Sequence, residues 1–192
     1  MREIIKKELG VFEKIRSQSF NKHFEVFYFP LPDDCKLKHG EALPLPLPRN
    51  IKNLRFQIEY KFLSISNSHD WLGIHLRQPA PDMMQTELVY VRSNESLESV
   101  SFPGRRTPEV GKPSANINLQ LGDGFRKLEL IIVENSLRAI TPERYLEDDK
   151  LLGEGLGGIV LHAWAHNPPT QGDLVIHYRK IEIISLDTTS PI

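Results

Sequence analysis

The chain has 192 residues, with 24 Lys and Arg against 25 Asp and Glu, a formal net charge of −1. Length and a 40% hydrophobic share predict one globular domain, and the balanced charge argues against nucleic acid or an anionic membrane as a partner. The single cysteine, Cys35, excludes an intramolecular disulfide and a multi-cysteine zinc site. With no apolar run of membrane-spanning length and no signal-like N-terminus, the sequence predicts a cytoplasmic protein.

One helical pattern lies at the N-terminus. Its apolar residues recur at spacings of three and four between Lys and Glu: Ile5, Leu9, Phe12 and Ile15. This spacing predicts a helix over residues 2–17. We expect residues 1–20 to form a helical cap, residues 21–187 one β-sandwich and residues 188–192 a tail. The helix could also dock a protein partner or a second copy of the chain.

The rest of the chain has the pattern of short strands. Residues 54–64 alternate between apolar and polar side chains, which is typical of a half-buried antiparallel strand. Alternate prolines in residues 42–50 indicate an edge strand or an extended connector, with a proline-rich ligand for an adaptor domain as the alternative. Further strands are predicted at residues 23–29, 71–77, 87–92, 97–102, 116–121, 126–133, 136–141, 158–166 and 174–186. Residues 104–114 and 142–157 are expected to be surface loops.

Many short strands without βα alternation indicate a sandwich or barrel. Four stretches in the second half add a resemblance: DWLGIHLR (70–77), FRKLELIIVENSLRAI (125–140), GGIVLHAWAH (157–166) and VIHYRKIEIISL (175–186). Their ordered succession resembles the concanavalin A-like lectin/glucanase superfamily, and most closely its 3-keto-disaccharide hydrolase domain family, related to laminin G-like sandwiches. The resemblance implies an all-β jelly-roll sandwich of two antiparallel sheets, with ligands on a concave sheet face or its rim loops.

This chain departs from that family at two places. The Asn-Gly turn that usually follows the hairpin is replaced by Ala-Ile-Thr-Pro at residues 139–142, and the strand TELVYV (86–91) keeps Glu87 but not the family's glutamine. Family members with hydrolytic activity are usually exported, whereas no export signal is evident here. A shared fold does not by itself transfer an activity.

Alternation predicts a binding face on the strands. Opposite their apolar rows, residues 71–77 and 159–166 carry a polar and aromatic row. An aromatic ring that stacks on a pyranose, beside side chains that bond its hydroxyls, is what a sugar site needs. The predicted ligand-binding residues are His75, Arg77, Tyr90, His162, Trp164 and His166. The alternative is that these side chains pack under a loop or lie singly on a solvated face.

Two strands leave the composition of this face open. If Val89 and Val91 point inward, Tyr90 and Arg92 join the face, whereas the family resemblance would place Glu87 there. In the last strand, the outward row is predicted to contain Val175, His177, Arg179 and Ile181.

Catalytic signatures are absent from the sequence. It contains no glucanase-type carboxylate arrangement, no nucleophile elbow and no phosphate-binding loop. If the chain is an enzyme, the resemblance suggests Glu87, His162 and His166 as acid–base candidates.

Metal binding has weak support in the sequence. His162 and His166 would lie about 13 Å apart on a strand, too far to chelate one ion, although His75 could join one of them across the sheet. We expect no cofactor, with calcium possible at the rim through Asp33, Asp34, Asp123 or Asp173. The leading hypothesis is a non-catalytic module that binds a carbohydrate or a small polar ligand. The alternatives are a glycan-processing hydrolase or lyase of the 3-keto-disaccharide type and a structural or protein-interaction domain.

Overall fold

The computed structural model describes residues 13–19, 22–29, 31, 35–66, 70–77, 86–93, 96–101, 105–108, 124–142, 144–148, 156–165 and 174–187. These residues contain strands and no helix. The strands are β1 (Glu13–Ser19), β2 (Lys22–Phe29), β3 (Lys36–Lys38), β4 (Ala42–Ile51), β5 (Leu54–Ser64), β6 (Trp71–Arg77), β7 (Thr86–Arg92), β8 (Leu97–Ser101), β9 (Arg105–Pro108), β10 (Arg126–Val133), β11 (Ser136–Ile140), β12 (Tyr145–Asp148), β13 (Leu156–Trp164) and β14 (Val175–Ser185).

The strands form two antiparallel sheets, as the sequence predicts. The first sheet has the order β1–β2–β14–β5–β10–β11–β12, with β3 also paired to β14. The second has the order β4–β13–β6–β7–β8–β9. No helix in the described part of the chain is long and apolar enough to cross a membrane.

Apolar side chains from both sheets meet in one core. In β5, burial alternates strictly from Leu54 to Phe62, because successive side chains point to opposite faces of a strand. The inner row of the second sheet includes Ile74 and Leu161, both fully buried. Burying these two rows against each other removes them from water, which supplies the main favourable term for the fold.

A bulge in β14 changes which side chains face this core. The pairing of β14 with β5 slips between Arg179 and Glu182, and Lys180 adopts a positive φ of 51°. The extra residue shifts the alternation by one position. Ile181 is therefore buried in the core at 2% exposure, so the prediction that it points outward is wrong.

The proline-rich segment is an edge strand, one of the two structures that its prolines predicted. Among the described strands, β4 pairs only with β13, where Leu43 and Leu45 lie opposite Leu161 and Ile159. The intervening Pro44 has no N–H to donate. The leucines therefore make the bonds to β13, and the proline nitrogen points away from β13, to the side on which no described strand pairs. The alternating leucines are buried in the core, which explains why a proline-rich segment belongs to the sandwich.

Three loop or helix predictions are corrected. Residues 13–17, expected to end a helix, belong to β1, which pairs along its whole length with β2; residues 1–12 lie outside the described residues. The expected loop 104–114 contains β9, and the expected loop 142–157 contains β12. In each case pairing with a neighbouring strand outweighs local composition. The strand predicted at 116–121 lies outside the described residues.

Asp187, which follows β14, connects two turns at one end of the first sheet. Its carboxylate accepts the backbone N–H groups of Lys52 (3.0 Å) and Asn53 (2.9 Å) and the Asn53 side-chain amide (2.9 Å). The side-chain oxygen Oδ1 of Asn53 in turn accepts the backbone N–H of Glu134 in the β10–β11 turn (2.7 Å). These bonds tie the end of β14 to the β4–β5 and β10–β11 turns.

Candidate functional site

The outer face of the second sheet brings together four of the six predicted ligand-binding residues. Because Val89 and Val91 are fully buried in the core, alternation places Tyr90 and Arg92 on the outer face of β7. The outer rows of β6, β7 and β13 are in register. One row joins Trp164, Trp71 and Arg92, and the next joins His162, Gly73, Tyr90 and Glu98. His75 follows Gly73 on the same side of β6. We call this surface the aromatic face.

Gly73 makes room for the indole of Trp71. A Cβ atom at position 73 would lie 2.3 Å from Cζ3 and 2.9 Å from Cε3 of Trp71, far inside van der Waals contact. The indole thus lies over the glycine backbone, along its own strand. Only a residue without a side chain allows a ring to lie this close to the sheet.

The indole of Trp71 is the centre of a cluster of rings. Its ring centroid lies 6.3 Å from Trp164 with an interplanar angle of 28°, 5.5 Å from Tyr90 and 5.7 Å from His162. His162 contacts Trp164 edge-on at 5.5 Å and His75 at 5.6 Å. These separations are in the range in which aromatic rings attract one another. The face therefore has a continuous aromatic floor across β13, β6 and β7.

Trp164 is the part of this floor most open to solvent. Among the described residues, the large hydrophobic side chains exposed by more than about a third are Leu63, Val133, Tyr145 and Trp164. Of these, Trp164, at 40% exposure, belongs to the second sheet. Exposing an indole costs free energy unless a ligand covers it, so Trp164 is the natural contact point for a bound molecule.

His162 is held neutral within the cluster. Burial lowers the pKa of its imidazole, and the electrostatic repulsion between it and the nearby His39 ring lowers it further. The group is therefore uncharged near pH 7, when each nitrogen offers either one donor or one acceptor to a ligand.

A polar group closes the β7–β8 side of the face. The Tyr90 hydroxyl donates a short hydrogen bond to the Glu98 carboxylate directly across the strand pair, and Arg92 Nη2 lies 3.3 Å from Glu98 Oε1 and 3.4 Å from the Tyr90 oxygen. Burial and the bond to Glu98 raise the pKa of Tyr90, so its phenol stays protonated. Arg92 supplies fixed donors and Glu98 fixed acceptors at this border.

The outer face of the first sheet has a different character. Cross-strand ion pairs cover it: Arg55 with Glu129 (2.6 Å), Arg179 with Glu59 (2.5 Å), and Arg138 with Glu147. These charges are paired with one another across the strands, and the paired side chains are partly exposed to solvent. The aromatic face is thus the better candidate for ligand contact.

The remaining predicted residues are placed as follows. Backbone pairing sets Arg77 opposite Gly158, and Glu87 opposite Leu76; the side chains of both, and all of His166, lie outside the described residues. The same holds for the possible calcium ligands Asp33, Asp34, Asp123 and Asp173. The outward row of β14 belongs to the first sheet, so His177 and Arg179 do not join the aromatic face. Within the described ranges, no group of three or more His, Cys, Asp or Glu is arranged to hold a metal ion.

The predicted binding set did not include Trp71, Arg92 and Glu98 of the face, or the neighbouring His39. Trp71 shares the parity of His75, so alternation alone could have included it. Arg92 depended on the inward direction of Val89 and Val91, and the position of Glu98 depends on the register between β7 and β8. His39 lies in the β3–β4 turn, and no local pattern connects it with β13.

No protein-family model matches the chain, and no curated protein matches its sequence. Among solved structures, a tetrameric galectin from the ball sponge Cinachyrella sp. is similar to it at a TM-score of 0.53 and 8% identity, with 73% of this chain and 97% of that one covered. An Aspergillus kawachii β-fructofuranosidase, solved with glycerol, matches at a TM-score of 0.50 and 12% identity, with 81% of this chain and 28% of that one covered.

The carbohydrate-binding module CBM66 from Bacillus subtilis has a TM-score of 0.49 and 8% identity, with 91% of this chain and 96% of that one covered. At such identities the galectin and fructofuranosidase matches show a shared fold, a jelly-roll-like sandwich of two antiparallel sheets. None of these three is a 3-keto-disaccharide hydrolase, so that closer relationship stays a prediction from the sequence.

Proposed function

We propose that the chain is a carbohydrate-binding β-sandwich module whose ligand lies on the aromatic face. The observation that carries this proposal is the exposed indole of Trp164 beside the flat indole of Trp71 and the neutral imidazole of His162. A pyranose has apolar C–H faces and an equatorial rim of hydroxyls. It can stack on Trp164 while its hydroxyls reach polar groups at the edges of the floor.

The polar groups around the floor suit a neutral ligand. Arg92 and Glu98 neutralise one another at one border, and His162 is uncharged near pH 7. Within the described part of the face, these groups provide donors and acceptors but little net charge. This combination favours hydroxyl-rich molecules over phosphates or carboxylates, which would require an unpaired cation. The fold shared with a galectin supports the proposal at the level of architecture only.

The first experiment is a glycan-array screen with and without calcium, followed by calorimetry on any hit. Trp164→Ala should weaken binding about tenfold or more, since it removes the stacking surface and the apolar area that a ligand would cover. Tyr145→Ala is the matched control: its ring is 44% exposed but lies on the first sheet. Equal affinities of the two variants, or no saturable binding of any glycan, would contradict the proposal.

An enzymatic role is the second candidate, and His162 is the observation that favours it. Its lowered pKa leaves a neutral imidazole in the face at neutral pH, a form that can accept a proton from a bound substrate. A hydrolase or lyase of the 3-keto-disaccharide type would use it with Glu87 or His166. Product analysis of each array hit tests this: turnover by the wild type that is lost in His162→Gln, with binding retained, would establish catalysis. Binding without any product supports the non-catalytic module.

A further inference from the structure

The β3–β4 turn is bound closely to the end of β13, where Trp164 lies. Within the turn, the N–H of Glu41 donates to the carbonyl of Lys38 (2.9 Å), and Gly40 takes a φ of 77° that favours glycine. Across to β13, the N–H of Gly40 donates to the Ala163 carbonyl (2.9 Å), and the N–H of Ala163 donates to the Glu41 carbonyl (3.2 Å). The residue directly before the tryptophan is thus bound to this turn through both its N–H and its carbonyl.

His39, within this turn, contacts Trp164 in two ways. Its ring meets the indole edge-on, with centroids 4.9 Å apart. Its Nδ1 accepts the backbone N–H of Ala165, the residue directly after Trp164, at 2.9 Å. One side chain therefore supports the indole laterally and also fixes the backbone that carries it.

The bond to Ala165 requires one protonation state of His39. A nitrogen that accepts a hydrogen bond has its lone pair free, so the proton of the neutral ring is on Nε2. In the imidazolium both nitrogens are donors, and Nδ1–H would then face the N–H of Ala165, donor against donor. Protonation removes the bond and replaces it with a repulsion.

We infer that His39 is the positioning residue of Trp164 and makes the aromatic floor sensitive to protons. With His39 neutral, the indole is held in place. When His39 takes up a proton, the Ala165 bond is lost and Trp164 leaves its fixed orientation. The effect on ligand affinity rests on the proposed function, whereas the coupling between His39 and Trp164 does not.

Other titratable and charged groups also face this region. His162 on β13 and His75 on β6 belong to the same cluster, and Lys38 and Glu41 flank His39 in the turn, with the Glu41 carboxylate accepting the N–H of Lys38 (2.8 Å). Arg92 and Glu98 lie at the far border. Of these residue types, histidine is the one whose unperturbed side chain changes charge between pH 5 and 8. His162 in particular must be separated from His39 in any test.

Because the chain has two tryptophans, Trp164 can be observed alone. In a Trp71→Phe, His162→Gln background, Trp164 fluorescence and its quenching by acrylamide are measured from pH 8 to pH 5, with and without His39→Asn. Asparagine keeps an oxygen that can accept the Ala165 N–H but does not titrate. We expect acid to increase quenching when His39 is present and to leave the His39→Asn protein unchanged. Superimposable titrations would overturn the inference.

Two further measurements keep this test decisive. At pH 8, His39→Ala should increase quenching of Trp164, while the same substitution in Trp164→Phe should leave Trp71 unaffected; a protein that fails to fold is replaced by the Asn variant. If a glycan ligand is found, its affinity is measured at pH 8 and at pH 5. The loss of affinity on acidification should be about five times larger in the wild type than in His39→Asn. A pH-dependent indole without any glycan binding would retain the inference and reject the proposed function.

Discussion

Replacing Gly73 by Ala should destabilise this protein, although an alanine in a regular strand is ordinarily favoured over glycine by about 0.5–1 kcal/mol. The added Cβ would lie 2.3 Å from Cζ3 of Trp71 and 3.0 Å from Cδ1 of Leu88. The leucine terminus can rotate away. The indole, which contacts Tyr90, His162 and Trp164, must lift by roughly 1 Å to regain ordinary contact.

Overpacking of this kind typically costs about 1–3 kcal/mol. Subtracting the usual gain from alanine leaves an expected net loss of about 1–2 kcal/mol in the free energy of unfolding. Urea denaturation followed by circular dichroism measures it, with a constant m-value as the check that the two-state description holds.

A double-mutant cycle isolates the cause. In a Trp71→Ala background the obstructing ring is absent, so Gly73→Ala should become neutral or stabilising by up to about 1 kcal/mol. The coupling energy between the two positions should therefore be about 2 kcal/mol. If Gly73→Ala is harmless in the wild type, or equally harmful with and without the indole, the tryptophan does not lie over the glycine as described.

Further outcomes follow from buried and paired groups. Tyr178→Phe should raise the melting temperature by about 2–4 °C, because the buried hydroxyl has no hydrogen-bond partner in the described part of the chain and its removal ends a desolvation cost of about 1 kcal/mol. Burial would raise the pKa of Glu129, but Arg55 and Lys127 outweigh it and lower that pKa. The stability contributed by Glu129 is thus present above the pKa of an unfolded glutamate and lost as the pH falls through the lowered folded value. Glu129→Gln should accordingly lower the melting temperature at pH 7 and change it little at pH 2, and a constant difference would refute this. Asp187→Ala removes three hydrogen bonds and should cost about 1–2 kcal/mol, measured by urea denaturation and by faster hydrogen exchange at the N–H of Asn53.

Most of the sequence-based prediction of the fold rested on the alternation of apolar and polar side chains within individual strands. Leu54 to Phe62 shows why: when one face is buried, a slip of one residue would expose the whole apolar row, so the pattern determines the register. The same logic correctly placed His162 and Trp164 opposite the core row of β13. It failed at Lys180, because a lysine with positive φ has no sequence signature and the bulge reverses the alternation after it.

What sequence reasoning missed depends on contacts between distant segments. Strand β12 is short and acidic, and it exists because β11 offers it a partner, with Leu146 opposite Ala139. His39 and Ala165 are 126 positions apart, and only the closure of the sandwich brings the turn to the end of β13. Such pairings depend on tertiary structure, and neither the composition nor the periodicity of a single segment predicts them.

The proline-rich border of β4 limits how copies of this protein can associate. A strand that docks on a sheet needs alternating donors and acceptors, and along this border Pro44 offers a carbonyl without its N–H. A strand that docked there would have a backbone carbonyl without a hydrogen-bond donor opposite it. Assemblies that grow by edge-to-edge pairing, from swapped dimers to amyloid, are therefore disfavoured on this side of the molecule. The prolines of β4 therefore protect the protein from aggregation at high concentration, and they do so without removing a hydrogen bond between β4 and β13.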